Sequence, residues 1–563
     1  MNRQEILASL EKNPNVSVLI VGAGINGIGT FRDLALNGVD VLLIDQADFC
    51  SGASAASSHM AHGGVRYLEN GEFRLVREAV RERNRMLKNA AHLVKPLPTT
   101  IPIFKWFSGL WNAPLKFLGW LDQPSERGSI VIKVGLLLYD AYTGFRRVVP
   151  FHRFRGRKVS LSKWPQLNPA IIHTATYYDG AILSPERYGL ELVLDAEAEG
   201  PHARALNYVS LEKGDGKTVT LRDELGDVSI EVAPELVINA AGPWIDLANR
   251  TLGLSTRYIG GTKGSHLVLD HPLLRRAIGD HEFFFENKDG RIVLIFPLFH
   301  RVLIGTSDIP IEDPDEAVCT PAEIDYFLEM IDKVFPGIEV TRDHIVFQFS
   351  GVRPLAFSQA KTAGQITRDH AIQVTEGVWT GLEFPVYSLV GGKWTSYRAF
   401  SEQVTDKALE ALGIRRQKDT RALPVGGGRA YPKTGLEKSR LIDGLSAWTG
   451  LPTARVQILF DRYGTRAEQV CSYIAKGPDG PLKSLPAYTR REIAFLGIVE
   501  KAPHLEDVIL RRTMLAMLGE ITRERLDELA QVLGEPLGWS KKQRSAEVAR
   551  TLQILKDKHG IRM

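Results

Sequence analysis

Cysteine is scarce in this chain: 563 residues contain three, Cys50, Cys319 and Cys471, far apart and without a C-x-x-C among them. That excludes a disulfide framework and the paired thiolates of a structural zinc, and it fits a reducing compartment. No run reaches the roughly 18 apolar residues of a membrane span. The nearest, Ile130 to Tyr139, is too short and is interrupted by Lys133. The start of the chain reads as a short polar helix without the apolar core of a signal peptide. Charge of one sign is lacking too, since 70 Lys and Arg face 66 Asp and Glu for a formal net charge of +4. That balance suits an anionic substrate or a membrane surface and is too small to argue for nucleic acid. There is no low-complexity tract, basic tail or internal repeat. His59, His92, His152, His173 and His266 form no pair with metal-ligand spacing, so no metal is expected.

What the chain has is glycine where a dinucleotide needs it. Val18 to Val21 is apolar and partly β-branched, as a strand covered on both faces requires. Gly22, Gly24 and Gly27 follow at the G-x-G-x-x-G spacing. The first permits the tight turn, the second a close approach to a pyrophosphate, and the third packing of the next helix on the strand. That helix aims free N–H groups and the positive end of its dipole at the phosphates. A second strand, Val39 to Ile44, ends in Asp45, 21 residues after Gly24, where a carboxylate can accept from ribose hydroxyls.

The nucleotide pattern does not close in one piece. It returns at Glu235-Leu-Val-Ile-Asn-Ala-Ala-Gly-Pro-Trp244 and again at Val386-Tyr-Ser-Leu-Val-Gly-Gly-Lys-Trp-Thr395. Two late returns favour FAD over a nicotinamide cofactor. Between them, Phe283–Phe296 carries two β runs around Asp289-Gly290, a hairpin signal, followed by the strand Val302–Gly305. The expected fold is α/β, with a Rossmann-like FAD-binding domain assembled from 1–100, 200–256 and 381–428. A substrate domain with an antiparallel sheet takes 101–199 and 257–380, and a helical C-terminal domain takes 429–563. The glycine run at 426–428 reads as a linker between them. Residues 101–128 mix Trp, Phe and Lys, which suits a membrane anchor, core packing or an oligomer contact.

These motifs together resemble the FAD-dependent glycerol-3-phosphate dehydrogenases over nearly the whole length. The likeness is carried by Val-Gly-Ala-Gly-Ile-Asn-Gly from Val21, Ala56–Glu69 with its His-Gly-Gly-Val-Arg-Tyr, and Asn239–Trp244. It continues through Lys263-Gly-Ser-His266, Ile304–Asp308, Ser350-Gly-Val-Arg-Pro-Leu355, Ile366–Asp369, Gly391–Thr395 and Leu505–Thr513. His59 stands where the family commonly has Lys, and 101–128 looks longer than the matching segment. The resemblance implies oxidation of a polyol phosphate, glycerol 3-phosphate or erythritol 4-phosphate, to the keto phosphate. Hydride passes to FAD, and electrons pass on to quinone or, in an oxidase, to oxygen. It places the protein in the cytoplasm, peripherally on the cytoplasmic membrane, and is compatible with a homodimer.

The resemblance also implies which residues act. Flavin lies along Gly22, Ala23, Gly24, Asn26, Gly27, Asp45, Gln46, Ser57, Ser58, Gly63, Gly64, Val209, Ala241, Gly242, Gly392, Lys393, Trp394 and Thr395. Arg353 and Arg368 clamp the phosphate, because guanidinium forks match its oxygens and stay charged. Arg66 adds a third cation and Thr306 a hydroxyl. His62 and Lys393 are both candidates to receive the hydroxyl proton, with Tyr67 a third. Arg353, Arg368, Arg66 and Lys393 together argue against a non-catalytic flavin scaffold, which needs no anion clamp.

Overall fold

The computed structural model describes residues 1–64, 73–106, 128–143, 148–287, 291–358, 369–377 and 381–563. Arg66, Tyr67, Arg368, the Asp289-Gly290 turn and most of the aromatic segment 101–128 lie outside them. Two sheets and a helical layer make up the molecule. The first sheet runs Ala371–Thr375, Val386–Val390, Val228–Asn239, Asn15–Val21, Val41–Ile44 and Ala203–Leu206, parallel from Val386–Val390 onward. A hairpin, Val209–Asp215 with Thr218–Asp223, extends the long Val228–Asn239 strand. At the centre of this sheet residues 18–21, Val41–Ile44 and residues 236–238 are apolar because the helix Ile25–Leu36 covers one face and the cluster holding Ile6, Leu10 and Val219 covers the other.

The second sheet is almost wholly antiparallel. It is ordered Ile309–Pro310, Thr262–Leu269, Arg301–Gly305, Ile292–Leu298, Glu282–Glu286, Val94–Ile103, His173–Ile182 and Met60–Ala61. Ile345–Arg353 also lies against Thr262–Leu269, and the expected hairpin pairs Phe283 with Ile295. Beyond residue 434 the chain is helical, from Gly435–Thr449 to Lys541–His559. These helices share a core with Val268, Leu294, Phe296 and Phe349, so they cap one face of the second sheet.

Four segments fall on the other side of the expected boundaries. Met60–Ala61 and the 94–100 part of Val94–Ile103 sit in the second sheet although they precede residue 101, and Ala371–Thr375 sits in the first although it precedes 381. The helix Pro185–Glu197 packs on Ile25–Leu36, on the nucleotide side. Nor is the glycine run a solvated linker. Gly426, Gly427 and Gly428 are buried, and the first two donate to Asp195 and Glu191 at 2.9 and 3.0 Å. A Cβ on Gly426 would lie 1.9 Å from a Glu191 oxygen, and one on Gly427 or Gly428 would run into the backbone carbonyl of Tyr463 or Asn89, so all three positions leave no room for a side chain. Among the described residues no helix is long and apolar enough to cross a membrane.

Candidate active site

The nucleotide half is built around the first strand. Gly22 has φ +104, and a Cβ there would meet the Ala240 carbonyl at 2.7 Å. A Cβ on Gly27 would lie 2.0 Å from the Gly22 oxygen, so the helix rests directly on the turn. Gly24 caps that helix in extended backbone with no side-chain acceptor. Ser54 Oγ accepts from Ile25 N at 2.9 Å, and Trp394 Nε1 donates to the Ser54 carbonyl at 3.0 Å. The late glycine pair therefore meets the early turn. Gly391 and Gly392 have φ +81 and +95, Asn26 Nδ2 donates to Gly391 O at 3.2 Å, and a Cβ on Gly392 would strike that amide at 2.4 Å. Ala241 and Gly242 close the third side, Gly242 at φ +58.

Asp45 ends its strand with one carboxylate oxygen on Ala23 N at 2.7 Å and the other on Ala47 N at 2.9 Å. Burial raises its carboxyl to about 6, against those two donors. Val209 N donates to Asp45 O at 2.7 Å, which seats the hairpin strand beside Asp45 and the exposed Gln46. This cradle fits a dinucleotide. Its glycines leave room a Cβ would fill, and Asn26 Oδ1 and Thr395 Oγ1 are buried there without a hydrogen-bond partner. Lys393, next to Gly392 in the chain, is half-buried.

Residues 51–58 bridge to the second sheet, where a Cβ on Gly351 would touch Ala56 Cβ at 2.4 Å. Ser57 Oγ accepts from His59 N at 3.3 Å, and Ser58 Oγ pairs with His266 Nε2 at 2.8 Å. His59 is buried at φ +55, with Nδ1 on the Ile182 carbonyl at 3.0 Å. Burial pushes its imidazole down to about 4, so it is neutral near pH 7. His62 then opens the turn of Gly63 and Gly64. Gly63 N donates to Asp179 at 2.8 Å, and a Cβ on Gly63 would overlap the Tyr139 hydroxyl. Arg83 and Tyr139 both donate to that carboxylate, so a buried three-residue network fixes the His62 turn. Sequence reading missed it, since its members lie 40 to 96 residues apart.

Arg353 ends the strand Ile345–Arg353 beside Thr306. Its Nη2 donates to Thr306 Oγ1 at 2.8 Å and Ser307 O at 3.1 Å, while Nη1 faces Asp308 at 3.2 Å. The fork lies over Gly264, where a Cβ would be 2.4 Å from Nη2. Underneath, Glu323 receives Lys263 at 2.8 Å and both Ser265 and Ser307. Burial works to raise its carboxyl, but these donors hold it at about 2. His266 stacks on Phe349 at 4.8 Å between centroids, and burial together with the Arg353 charge lowers it to about 3. Its Nδ1 is buried with no hydrogen-bond partner. The pairing of His266 with Ser58 spans 208 residues and leaves no local signal in the sequence. One further group of ligand types, His504, Glu506 and Glu547, gathers in the helical layer, where the Arg550 guanidinium bridges His504 and Glu506 at 2.6 and 2.7 Å.

Comparison with known proteins follows the same division. Residues 17–397 match the FAD dependent oxidoreductase family, and residues 418–544 match the C-terminal domain of alpha-glycerophosphate oxidase. A glycerol-3-phosphate dehydrogenase of Synechocystis is 34% identical, with 96% of each chain covered. One from Mycobacterium leprae is 30% identical over 94% of this chain and 86% of its own. Among solved structures, the glycerol-3-phosphate dehydrogenase of Bacillus halodurans complexed with FAD superposes with TM-score 0.75 at 23% identity, covering 99% of this chain and 97% of that one.

Proposed function

This chain belongs to the FAD-dependent glycerol-3-phosphate dehydrogenases, and from that premise we propose how its own residues bind the substrate and move its proton. The reaction is FAD-linked oxidation of glycerol 3-phosphate to the keto phosphate. FAD, when bound, accepts the hydride from the carbinol carbon. The glycines at 22, 24 and 27 and at 391–392 hold its pyrophosphate side, and Asp45 its ribose.

Arg353 carries the proposal. It is a half-buried guanidinium held in place by Thr306, Ser307 and Asp308 over a glycine, at the end of the strand Ile345–Arg353. A fork so oriented binds phosphate bidentately, and fixing the phosphate positions the carbinol for transfer. Arg368 and Arg66 complete the clamp in this reading. His62 or Lys393 receives the hydroxyl proton, with Tyr67 as the remaining candidate. His59 and His266 are poor carriers of positive charge, because burial lowers both far below neutrality.

The acceptor in this reading is quinone, reached at a membrane surface. The support is the helix Ser129–Thr143, which buries Ile132, Leu136 and Tyr139 and exposes Ile130, Val134, Leu137 and Leu138 by 39 to 53%. An apolar stripe of that size beside Lys133 suits an interfacial contact.

The deciding experiment is anaerobic bleaching of the purified flavoprotein by glycerol 3-phosphate, erythritol 4-phosphate and glycerol, in wild type and in Arg353→Lys. Lysine keeps the charge and loses the fork. Glycerol 3-phosphate should bleach wild type best and the variant poorly. Equal loss of glycerol and glycerol 3-phosphate reactivity would show that Arg353 does not read the phosphate.

A further inference from the structure

Among the buried charges through which the helical C-terminal layer meets the nucleotide half, Asp48 lies three residues beyond Asp45. Asp48 is fully buried and takes four donors. Arg511 Nε and Arg512 Nη1 donate to one oxygen, both at 2.7 Å; Arg512 Nη2 and Asn207 Nδ2 donate to the other at 2.9 and 2.8 Å. Both arginines belong to the C-terminal layer and lie more than 460 residues away in sequence. The same cluster holds the other wall of the Asp45 loop. Arg511 also pairs with Asp507, which accepts from the Tyr208 hydroxyl at 2.6 Å. Tyr208 N in turn donates to Ala47 O at 3.0 Å, and Asn207 Nδ2 to Lys501 O at 2.8 Å.

Two segments therefore flank Asp45, 46–48 and 207–209, and both are tied to the C-terminal layer through these charges. Burial alone would raise the Asp48 carboxyl, yet the two guanidiniums bring it to about 2, so it is ionised at any working pH. A buried set of this kind adds little net stability over apolar packing, because desolvation cancels much of the attraction. What it does supply is a fixed geometry, and here that geometry ends at the carboxylate that holds the glycine turn through Ala23 N.

We propose that Arg511 and Arg512 are positioning residues for the adenosine half of FAD, acting through Asp48 on Asp45, so that the C-terminal layer governs cofactor retention. The inference rests on FAD binding at the Gly22–Gly27 turn. It assigns the C-terminal layer a part in holding the cofactor that neither the glycine motif nor the phosphate clamp requires.

The test uses full-length protein stripped of flavin and titrated with FAD, ADP and FMN, with the melting temperature of each apoprotein measured alongside. Asp48→Asn should weaken FAD and ADP by tenfold or more while FMN changes less than twofold. The double variant Asp45→Asn with Asp48→Asn should bind FAD no more weakly than Asp45→Asn alone, since both lie on one path. Should Asp48→Asn not fold, Arg511→Lys decides: it keeps the charge but cannot span Asp48 and Asp507, and ADP affinity should fall at least threefold. Unchanged FAD and ADP affinity with a lowered melting temperature would make the cluster a structural joint and overturn the proposal. A wild-type apoprotein that bound no FAD would overturn the cofactor assignment, and this inference with it. Losses confined to the variants leave that assignment standing.

Discussion

Gly264→Ala tests the phosphate clamp without touching a charged residue. Gly264 lies in a strand paired with Gly351 across the sheet, in backbone that alanine adopts readily. Its new Cβ would sit 2.4 Å from Arg353 Nη2 and 2.7 Å from Cζ, well inside contact distance. The end of a flexible side chain would yield, not the sheet. Arg353 would then give up its bonds to Thr306 and Ser307, and its alignment on Asp308. Bonds from a charged donor contribute about 1.5–3 kcal/mol when buried, but this side chain is 26% exposed and water replaces part of the loss. The alanine itself adds roughly 0.4–1 kcal/mol by restricting the unfolded chain. The two effects nearly offset, so the melting temperature should move little. Binding should not be spared. A misdirected fork loses the bidentate pair with phosphate, about 1.5–3 kcal/mol or roughly ten- to a hundredfold in affinity. The assay is anaerobic flavin bleaching across a glycerol 3-phosphate titration, with glycerol as the control that carries no phosphate. Unaltered glycerol 3-phosphate affinity, or an equal loss for glycerol, would refute the reasoning.

Other perturbations address the remaining parts. Gly27→Ala puts a Cβ 2.0 Å from the Gly22 oxygen, where only backbone could move, so the protein should purify colourless; a fully yellow variant would contradict the assignment of the turn. Glu282 is buried against Thr99, and burial raises its carboxyl to about 8. The folded state then keeps a proton that the unfolded chain releases near pH ~4.3, so stability falls as pH rises from there to about 8 and then levels. Glu282→Gln should melt close to wild type at pH 5 and increasingly above it towards pH 8; a gap independent of pH would count against the buried proton. Burial lowers His59 to about 4, so its contribution to stability should be lost as pH falls from ~6.5 towards 4. A variant with His59→Asn should show a shallower acid limb in the same melting series. Val134→Asp with Leu137→Asp should reduce sedimentation with anionic vesicles while flavin bleaching by glycerol 3-phosphate persists, and undiminished sedimentation would remove the helix Ser129–Thr143 from the membrane reading.

The sequence by itself determined the parts whose physics is local. The Val18–Val21 strand, the three glycines and Asp45 were legible because a tight turn, a close helix and a strand-end acid each demand a residue type at a fixed spacing. The hairpin between Phe283 and Phe296 was legible because two β runs flank Asp-Gly. The helical character of the C-terminal layer was legible from its lack of strand signals. Only the tertiary structure showed Val94–Ile103 and Ala371–Thr375 as strands and decided which sheet each would join, since pairing is chosen by partners far away. It alone turned Gly426–Gly428 from an apparent linker into a buried joint. It alone brought Ser58 to His266, Asp179 to the Gly63 amide, and Arg512 to Asp48 across 464 residues. A buried charge is stable only beside its counter-charge, and that demand fixes geometry in space while leaving the intervening chain free to vary. Such pairs carry no periodicity and no spacing, which is why the fold had to assemble them before they could be seen.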